Sequence, residues 1–284
     1  MASVDRFRSR CSSAVARMKQ SGPVGNAYQV AVDAADQLFP STSVILRSRF
    51  GGSREAELSV LPKFVGCGDL VVDVGAHKGL YSWHLQRLVG PSGSVHAFEP
   101  QPDLSDYLKR AFRGSRTVLV HELALSASRG IATLTVPLFD GAPALGHATL
   151  EESGGRSIEV QTVPFDSLGL APRFMKIDVE GHELGVLSGA METLETSKPF
   201  LLLEIDRRSG RDPSKLIELL QHLDYHGYVL NDDGILAPMD VRRLLDPSDP
   251  ILATRYAYNF FFLPRTSGEI DRRVEAADVP PRPR

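Results

Sequence analysis

Leu70-Val71-Val72-Asp73-Val74-Gly75-Ala76-His77-Lys78-Gly79-Leu80-Tyr81-Ser82 decides the fold. A β-branched apolar run, too short for a helix, ends in an acid, turns through glycine and opens a segment with helical spacing. Strand, tight loop and helix N-terminus in that order bring backbone N–H groups up against a ligand at the edge of an open α/β sheet. The loop reads Asp-x-Gly-x-x-x-Gly, so it lacks the close glycine pair of a dinucleotide-binding turn. A second strand-like run, Ser94-Val95-His96-Ala97-Phe98, ends in Glu99, about twenty residues past the loop. A carboxylate there can accept hydrogen bonds from both hydroxyls of a ribose.

Working outward, strands are expected at residues 70–74, 94–98, 117–121, 174–177, 200–203, 228–230 and 258–263. Helices are expected at 80–89, 104–112, 182–194 and 213–223. Such alternation predicts a doubly wound, parallel α/β sheet with right-handed crossovers. The turn Glu122-Leu123-Ala124 after the third strand is where an adenine would lie in such a sheet. Residues 131–136 and 157–163 read as a small added β hairpin around a Gly-, Pro-, Ala- and Ser-rich loop, 137–156. A loop of that length without periodicity suits a lid, and it carries the polar residues His147, Thr149 and Arg156.

The first sixty residues carry no chemical signature. Spacing predicts amphipathic helices over 4–18 and 27–38 and a strand over 43–50. This N-terminal helical extension could wall the substrate side, cover a sheet edge or form a homodimer face. The tail, 266–284, is polar, Pro-rich and expected to be disordered. The main domain is placed at 61–265.

Composition narrows the class. Over 284 residues, 42% hydrophobic and 24% charged content is ordinary for a globular chain, and a net charge of −3 gives no general attraction to nucleic acid or anionic membrane. Cys11 and Cys67 have no disulfide or metal spacing and fit a reducing, cytoplasmic setting. No apolar run approaches the ~20 residues that span a bilayer. The basic residues Arg6, Arg8, Arg10, Arg17 and Lys19 surround no hydrophobic signal core and read as an exposed basic helix.

Three ordered blocks give a resemblance: Val72-Asp73-Val74-Gly75-Ala76-His77-Lys78-Gly79, then Ala97-Phe98-Glu99-Pro100, then Lys176-Ile177-Asp178-Val179-Glu180-Gly181-His182-Glu183. Between residues 62 and 264 the chain resembles FkbM-type S-adenosylmethionine-dependent methyltransferases. The resemblance implies a Rossmann-like class I sheet whose last strand is antiparallel. It also implies a methyl donor bound by Asp73, Gly75, Ala76, His77, Gly79, Glu99, Pro100, Glu122, Leu123 and Ala124. The expected activity is O-methylation of a hydroxyl on a sugar, glycolipid, oligosaccharide or polyketide-like molecule.

An alcohol is a poor nucleophile while it keeps its proton, so a base or a metal must act on it. Candidates cluster where strands 174–177 and 200–203 end: Asp178, Glu180, His182 and Glu183 on one, Glu204 and Asp206 on the other. His182 is the natural general base near neutral pH, with Asp178 and Glu180 beside it. Asp178, Glu204 and Asp206 form an oxygen set that would suit magnesium and relieve their mutual repulsion. Lys176, two residues before Asp178, reads as a structural ion-pair partner. Two other functions stay open. A nucleotide-binding oxidoreductase is disfavoured by the glycine pattern, and a non-catalytic interaction module by the intact Asp73, Gly75, Gly79, Glu99 and Asp178.

Overall fold

Val71, Val72 and Val74 of β1 (Leu70–Val74) are fully buried because helices cover both faces of the strand. The computed structural model describes residue 36 and residues 39–46, 56–139, 142–151, 155–205, 212–231, 234–245 and 259–265. The helices expected at 4–18 and, Asp36 apart, at 27–38 lie outside the described residues, as do Asp206 and the tail 266–284.

β1 lies between β2 (Ser94–Phe98) and β9 (Phe174–Ile177), parallel to both. β3 (Val118–His121) extends the sheet beyond β2, and β10 (Phe200–Glu204) extends it beyond β9. Next to β10 comes β13 (Asn259–Pro264), antiparallel to it, then β11 (Tyr225–Leu230) and β12 (Leu236–Met239). The full order is β12-β11-β13-β10-β9-β1-β2-β3. This is the doubly wound, Rossmann-like arrangement with an antiparallel last strand. Successive strands step outward from β1 through β3, then the chain returns to β9 on β1's other side. That reversal opens a crevice at the carboxyl ends of β1 and β9.

Each face has its own core. On one face α1 (Pro40–Leu46), α2 (Leu80–Val89) and α3 (Pro102–Ala111) pack through Val44, Leu85 and Leu108 onto Val71, Val95 and Phe174. On the other, α4 (Glu183–Ser188), α5 (Met191–Thr196) and α6 (Ser214–His222) pack through Leu187, Leu194 and Ile217 onto Val72, Met175 and Leu203. The Phe260-Phe261-Phe262 run needs no alternation, because Phe261 enters the first core while its neighbours enter the second. Each fully buried phenylalanine removes apolar surface worth roughly 1.5–3 kcal/mol.

The structure departs from the sequence reading in several places. Residues 40–46 form α1 instead of a strand. Pro40 starts the helix with its fixed φ, Ser41 Oγ donates to Ala111 O at 2.7 Å, and Val44 is buried against α3. Packing outweighs the β preference of Thr42, Val44 and Ile45, which spans only about 1 kcal/mol. The helix read as 182–194 is two helices. At Gly189 a Cβ would lie 2.1 Å from the Ser126 carbonyl oxygen, so the chain bends there. Asp166 then caps α5, accepting from Glu192 N–H (2.9 Å) and Thr193 N–H (3.0 Å).

The β insertion is present but richer than a hairpin. β5 (Gly130–Val136) and β8 (Arg156–Val163) pair antiparallel, and β4 (Ala124–Leu125) joins β8 as a third strand. Between them β6 (Leu138–Phe139) and β7 (Ala142–Pro143) form a minimal hairpin. A strap, residues 142–151, then runs on to β8.

Candidate active site

The loop after β1 is shaped by contacts that only glycine tolerates. At Gly75 φ is +77°, and a Cβ would sit 1.8 Å from the Asp178 carbonyl oxygen. The ends of β1 and β9 therefore touch through backbone. Gly79 has φ +78°, and a Cβ there would meet Leu108 and Phe112 at 2.8 Å. It seats α2 against α3 and does not face the cleft.

Around this contact lies a cleft of about 710 Å³, open on one side. Gly75, His77, Glu99, Pro100, Leu123 and Ala124 line it together with Asp178, Glu180 and His182. Of the proposed donor residues, Asp73, Ala76, Gly79 and Glu122 do not reach its wall. Asp73 lies buried beneath the loop, and Glu122 points outward to pair with Lys109 at 2.8 Å.

Glu99 is buried at the end of β2, and its two oxygens accept from His77 N–H (2.9 Å) and Gln101 N–H (3.0 Å). Those two amides belong to the loops after β1 and β2, so one carboxylate ties those two loops together. His77 takes a left-handed φ of +47° to present its N–H, a conformation uncommon outside glycine. Burial pushes the Glu99 carboxyl up to about 7 against the pull of these hydrogen bonds.

Beneath the loop lies a charge cluster in which one ammonium serves three carboxylates. Lys176 Nζ is buried, bonded to Asp178 Oδ2 at 2.6 Å, and sits 4.7 Å over the Tyr81 ring. β-sheet register places Asp73 beside Lys176, and Glu204 lies two residues past its neighbour Leu202. Burial alone would push the Lys176 pKa down. The attraction of Asp178, Asp73 and Glu204 outweighs it and holds the ammonium protonated, above the usual lysine range. Burial raises the Asp73 pKa, while Lys176 and the 2.6 Å hydrogen bond from Ser82 act against it.

This cluster bears directly on the magnesium expectation. Asp178 is committed to an ammonium that already supplies the compensating charge, and Asp206 lies outside the described residues. Among the described residues, no group of three or more His, Cys, Asp or Glu side chains is placed to hold a metal. Of the proposed set, the described Asp178 and Glu204 do not by themselves make a magnesium site, and no step below is routed through a metal.

The strap closes over the cleft through Leu145, Gly146, Ala148 and Leu150. Gln101 Nε2 donates to Leu145 O (2.9 Å), and Thr149 Oγ1 donates to Glu180 O (2.8 Å). Thr149 and Thr135 exchange backbone hydrogen bonds of 2.8 and 2.9 Å. His147 Nδ1 lies 3.1 Å from Glu180 Oε1, so Glu180 faces the strap instead of standing free as a base. Arg156 is exposed at the start of β8 and takes no part in the cleft.

His182 lines the cleft just before α4. Its Nδ1 is hydrogen-bonded to Glu151 at the strap's end, and its Nε2 lies 3.0 Å from Ser126 Oγ. Glu183 is buried, accepts from Gly181 N–H at 2.9 Å and has its pKa raised by burial; it holds the turn into α4. Sequence reasoning missed Gln101 and Glu151, and it placed Ser126 only at the end of the adenine stretch 122–126, not beside His182. Gln101 directly follows the Glu99-Pro100 pair, a local signal. Ser126 and Glu151 meet His182 across 56 and 31 residues, and no spacing rule reaches them.

A methyl donor bearing a ribose and an amino acid fits these residues on two structural grounds. Gln101, on the cleft wall, has its Oε1 buried without a hydrogen-bond partner among the described residues. The loop that could hold the donor is also glycine-shaped, close to backbone, and bordered by the Glu99 carboxylate.

Comparison with known proteins supplies the family. A crystal structure of an FkbM methyltransferase from Methylobacillus flagellatus KT overlays with a TM-score of 0.44 at 18% identity, covering 84% of this chain and 59% of that one. Aeropyrum pernix fibrillarin with bound S-adenosyl-L-methionine gives 0.41 at 13% identity, covering 73% of each chain. The hexuronic acid methyltransferase AglP of Haloferax volcanii is 32% identical over 158 residues, which are 54% of this chain and 61% of that relative. The methyltransferase FkbM domain model matches residues 73–230, from the acid of β1 to the end of β11. The chain belongs to the FkbM methyltransferase family.

Proposed function

We propose that the protein is an S-adenosylmethionine-dependent O-methyltransferase whose acceptor is a saccharide hydroxyl, with hexuronic acid-containing sugars the first class to test. The observation that carries the donor half is Glu99, a buried carboxylate at the cleft wall held by two loop amides. Its remaining lone pairs suit a ribose diol, and the apolar pair Leu123 and Ala124 offers a surface for the adenine. The acceptor half rests on the family and on the sugar-modifying relative, and on His182, which with His77 brings an imidazole to the cleft wall.

When bound, the donor supplies an electrophilic methyl on a sulfonium. The protein has three tasks: align the acceptor oxygen, exclude water and take one proton. Alignment alone can lower a barrier by roughly 7–11 kcal/mol at the extreme. The strap excludes water by covering the cleft with Leu145, Ala148 and Leu150. His182 takes the proton. The charged cluster around Lys176 holds the floor rigid and takes no part in proton transfer.

The test is methyl transfer from S-adenosylmethionine to a panel of glucuronic acid, galacturonic acid, neutral hexoses and their oligosaccharides, run with and without EDTA. Formation of S-adenosylhomocysteine with a methylated sugar, unaffected by chelator, supports the reading. Tight NAD binding with no binding of S-adenosylhomocysteine contradicts it.

A further inference from the structure

We infer that Glu151, carried on the strap, is the positioning residue that fixes His182 as a one-sided base; the inference rests on the methyltransferase reading above. An ionised carboxylate only accepts hydrogen bonds, so the Glu151 contact requires a proton on His182 Nδ1. In neutral imidazole the other nitrogen is then the acceptor, and Ser126 Oγ–H donates to Nε2 at 3.0 Å. The ring is thus held at both ends, with its lone pair on Nε2. Gly185 packs against it so closely that a Cβ would lie 2.4 Å from Nε2, which fixes the ring plane as well.

The arrangement matches the charge flow of the reaction. The acceptor O–H proton goes to Nε2, the new O–CH3 bond forms, and the C–S bond breaks with its electron pair passing to sulfur. Sulfonium becomes neutral thioether, and imidazole becomes imidazolium. The positive charge thus moves from donor to His182, and Glu151 is the carboxylate bonded to the nitrogen opposite. In the free protein Nε2 is taken by Ser126 Oγ, which an acceptor hydroxyl must displace to reach it.

Other charged groups nearby are accounted for elsewhere. Glu180 faces His147, Asp178 is bonded to Lys176, and Glu183 holds the Gly181 amide. Glu151 therefore differs from them in addressing the base directly. Because it sits at residue 151, at the end of the strap, seating of the strap and completion of the base are one event. Among the described residues, Gln101–Leu145 and Thr149–Glu180 seat the same strap without touching the imidazole.

Nitrogen-15 NMR of His182 tests this without any acceptor. The expected result is the Nδ1–H tautomer in wild type and a mixture of both tautomers in Glu151→Gln, whose amide can donate as well as accept. An Nε2–H tautomer in wild type, or an unchanged tautomer ratio in the variant, overturns the inference. With glucuronic acid as methyl acceptor, Glu151→Gln should lower kcat roughly 10- to 100-fold, less than the roughly 100- to 10,000-fold of losing the base itself, with KM changed little. Glu151→Asp should recover part of the loss. A change in KM alone would reduce Glu151 to a latch for the strap and overturn its role. If the NMR result holds while no sugar is methylated, the failure belongs to the proposed function and not to the Glu151–His182 pairing.

Discussion

Replacing Glu99 by glutamine should move fold stability and donor affinity in opposite directions. In the wild type, burial raises the carboxyl pKa from 4.5 to about 7. A carboxyl whose folded pKa lies above its unfolded value stabilises the fold most when protonated. That contribution is complete below pH 4.5 and is lost as pH rises through about 7. At about 1.36 kcal/mol per pH unit, the span is worth about 3 kcal/mol. Glutamine is neutral at every pH and removes this dependence. It offers one acceptor oxygen where the carboxylate served both His77 and Gln101 amides, at a cost of about 1 kcal/mol. The free variant should therefore match or exceed wild type in urea unfolding at pH 8, and its stability should be flatter between pH 5 and 8. Donor binding should fall instead. Losing charged hydrogen bonds to a ribose costs roughly 1.5–3 kcal/mol, or about 10- to 100-fold in Kd for S-adenosylhomocysteine by calorimetry. Wild type should also release protons on binding near pH 7, because a diol donating to Glu99 favours its ionised form, and the Glu99→Gln variant should release none. A well-folded variant with wild-type Kd and unchanged proton release would refute the ribose assignment.

Lys176→Met leaves Asp73, Asp178 and Glu204 without their shared ammonium and should destabilise by roughly 3–5 kcal/mol at pH 7. Protonation relieves the repulsion, so the deficit should shrink on acidification toward pH 4 in denaturant titrations; a pH-independent deficit would mean packing, not charge. Gly75→Ala forces a Cβ to 1.8 Å from the Asp178 carbonyl at φ +77°. Tm should drop by more than about 5 °C by circular dichroism, and a loss within about 1 °C would show that the β1–β9 backbone contact is not tight. Gln101→Ala removes one of the strap's polar seats and should speed hydrogen exchange at Leu145–His147 while leaving β1 and β9 protected. Unchanged exchange there would mean that Gln101 does not hold the strap.

The sheet was legible because its signals are local. β1 and β2 each announce themselves by an apolar run ending in an acid. The Phe260-Phe261-Phe262 run marks a strand covered on both faces, as its division between two cores bears out. What was illegible depends on long-range contact. Residues 43–50 alternate loosely like a strand, but 43–46 belong to the helix of residues 40–46, whose partners are Tyr107 and Ala111, some seventy residues away. The break at Gly189 is imposed by the carbonyl of Ser126. β12 also escaped the sequence reading: Leu236–Met239 contains Pro238, and it forms the sheet edge where proline is tolerated.

The candidate site divides in the same way. Glu99, Gly75 and His182 could be named from the blocks they sit in. That Asp178 answers to Lys176 could be inferred from their spacing of two in a strand, yet an acidic edge invited a metal because the ammonium's reach was not visible. Glu122 lies one residue outside the segment that lines the cleft. Its side chain turns to Lys109, a contact that only the position of α3 makes possible.

A crystal structure of the protein with S-adenosylhomocysteine tests the central assignment most directly. The expected density places the ribose hydroxyls on Glu99, the adenine against Leu123 and Ala124, and the sulfur on the side of Asp178 and His182. A nucleoside found elsewhere, such as the groove between Trp83 and Arg116 at the opposite end of the sheet, would contradict it.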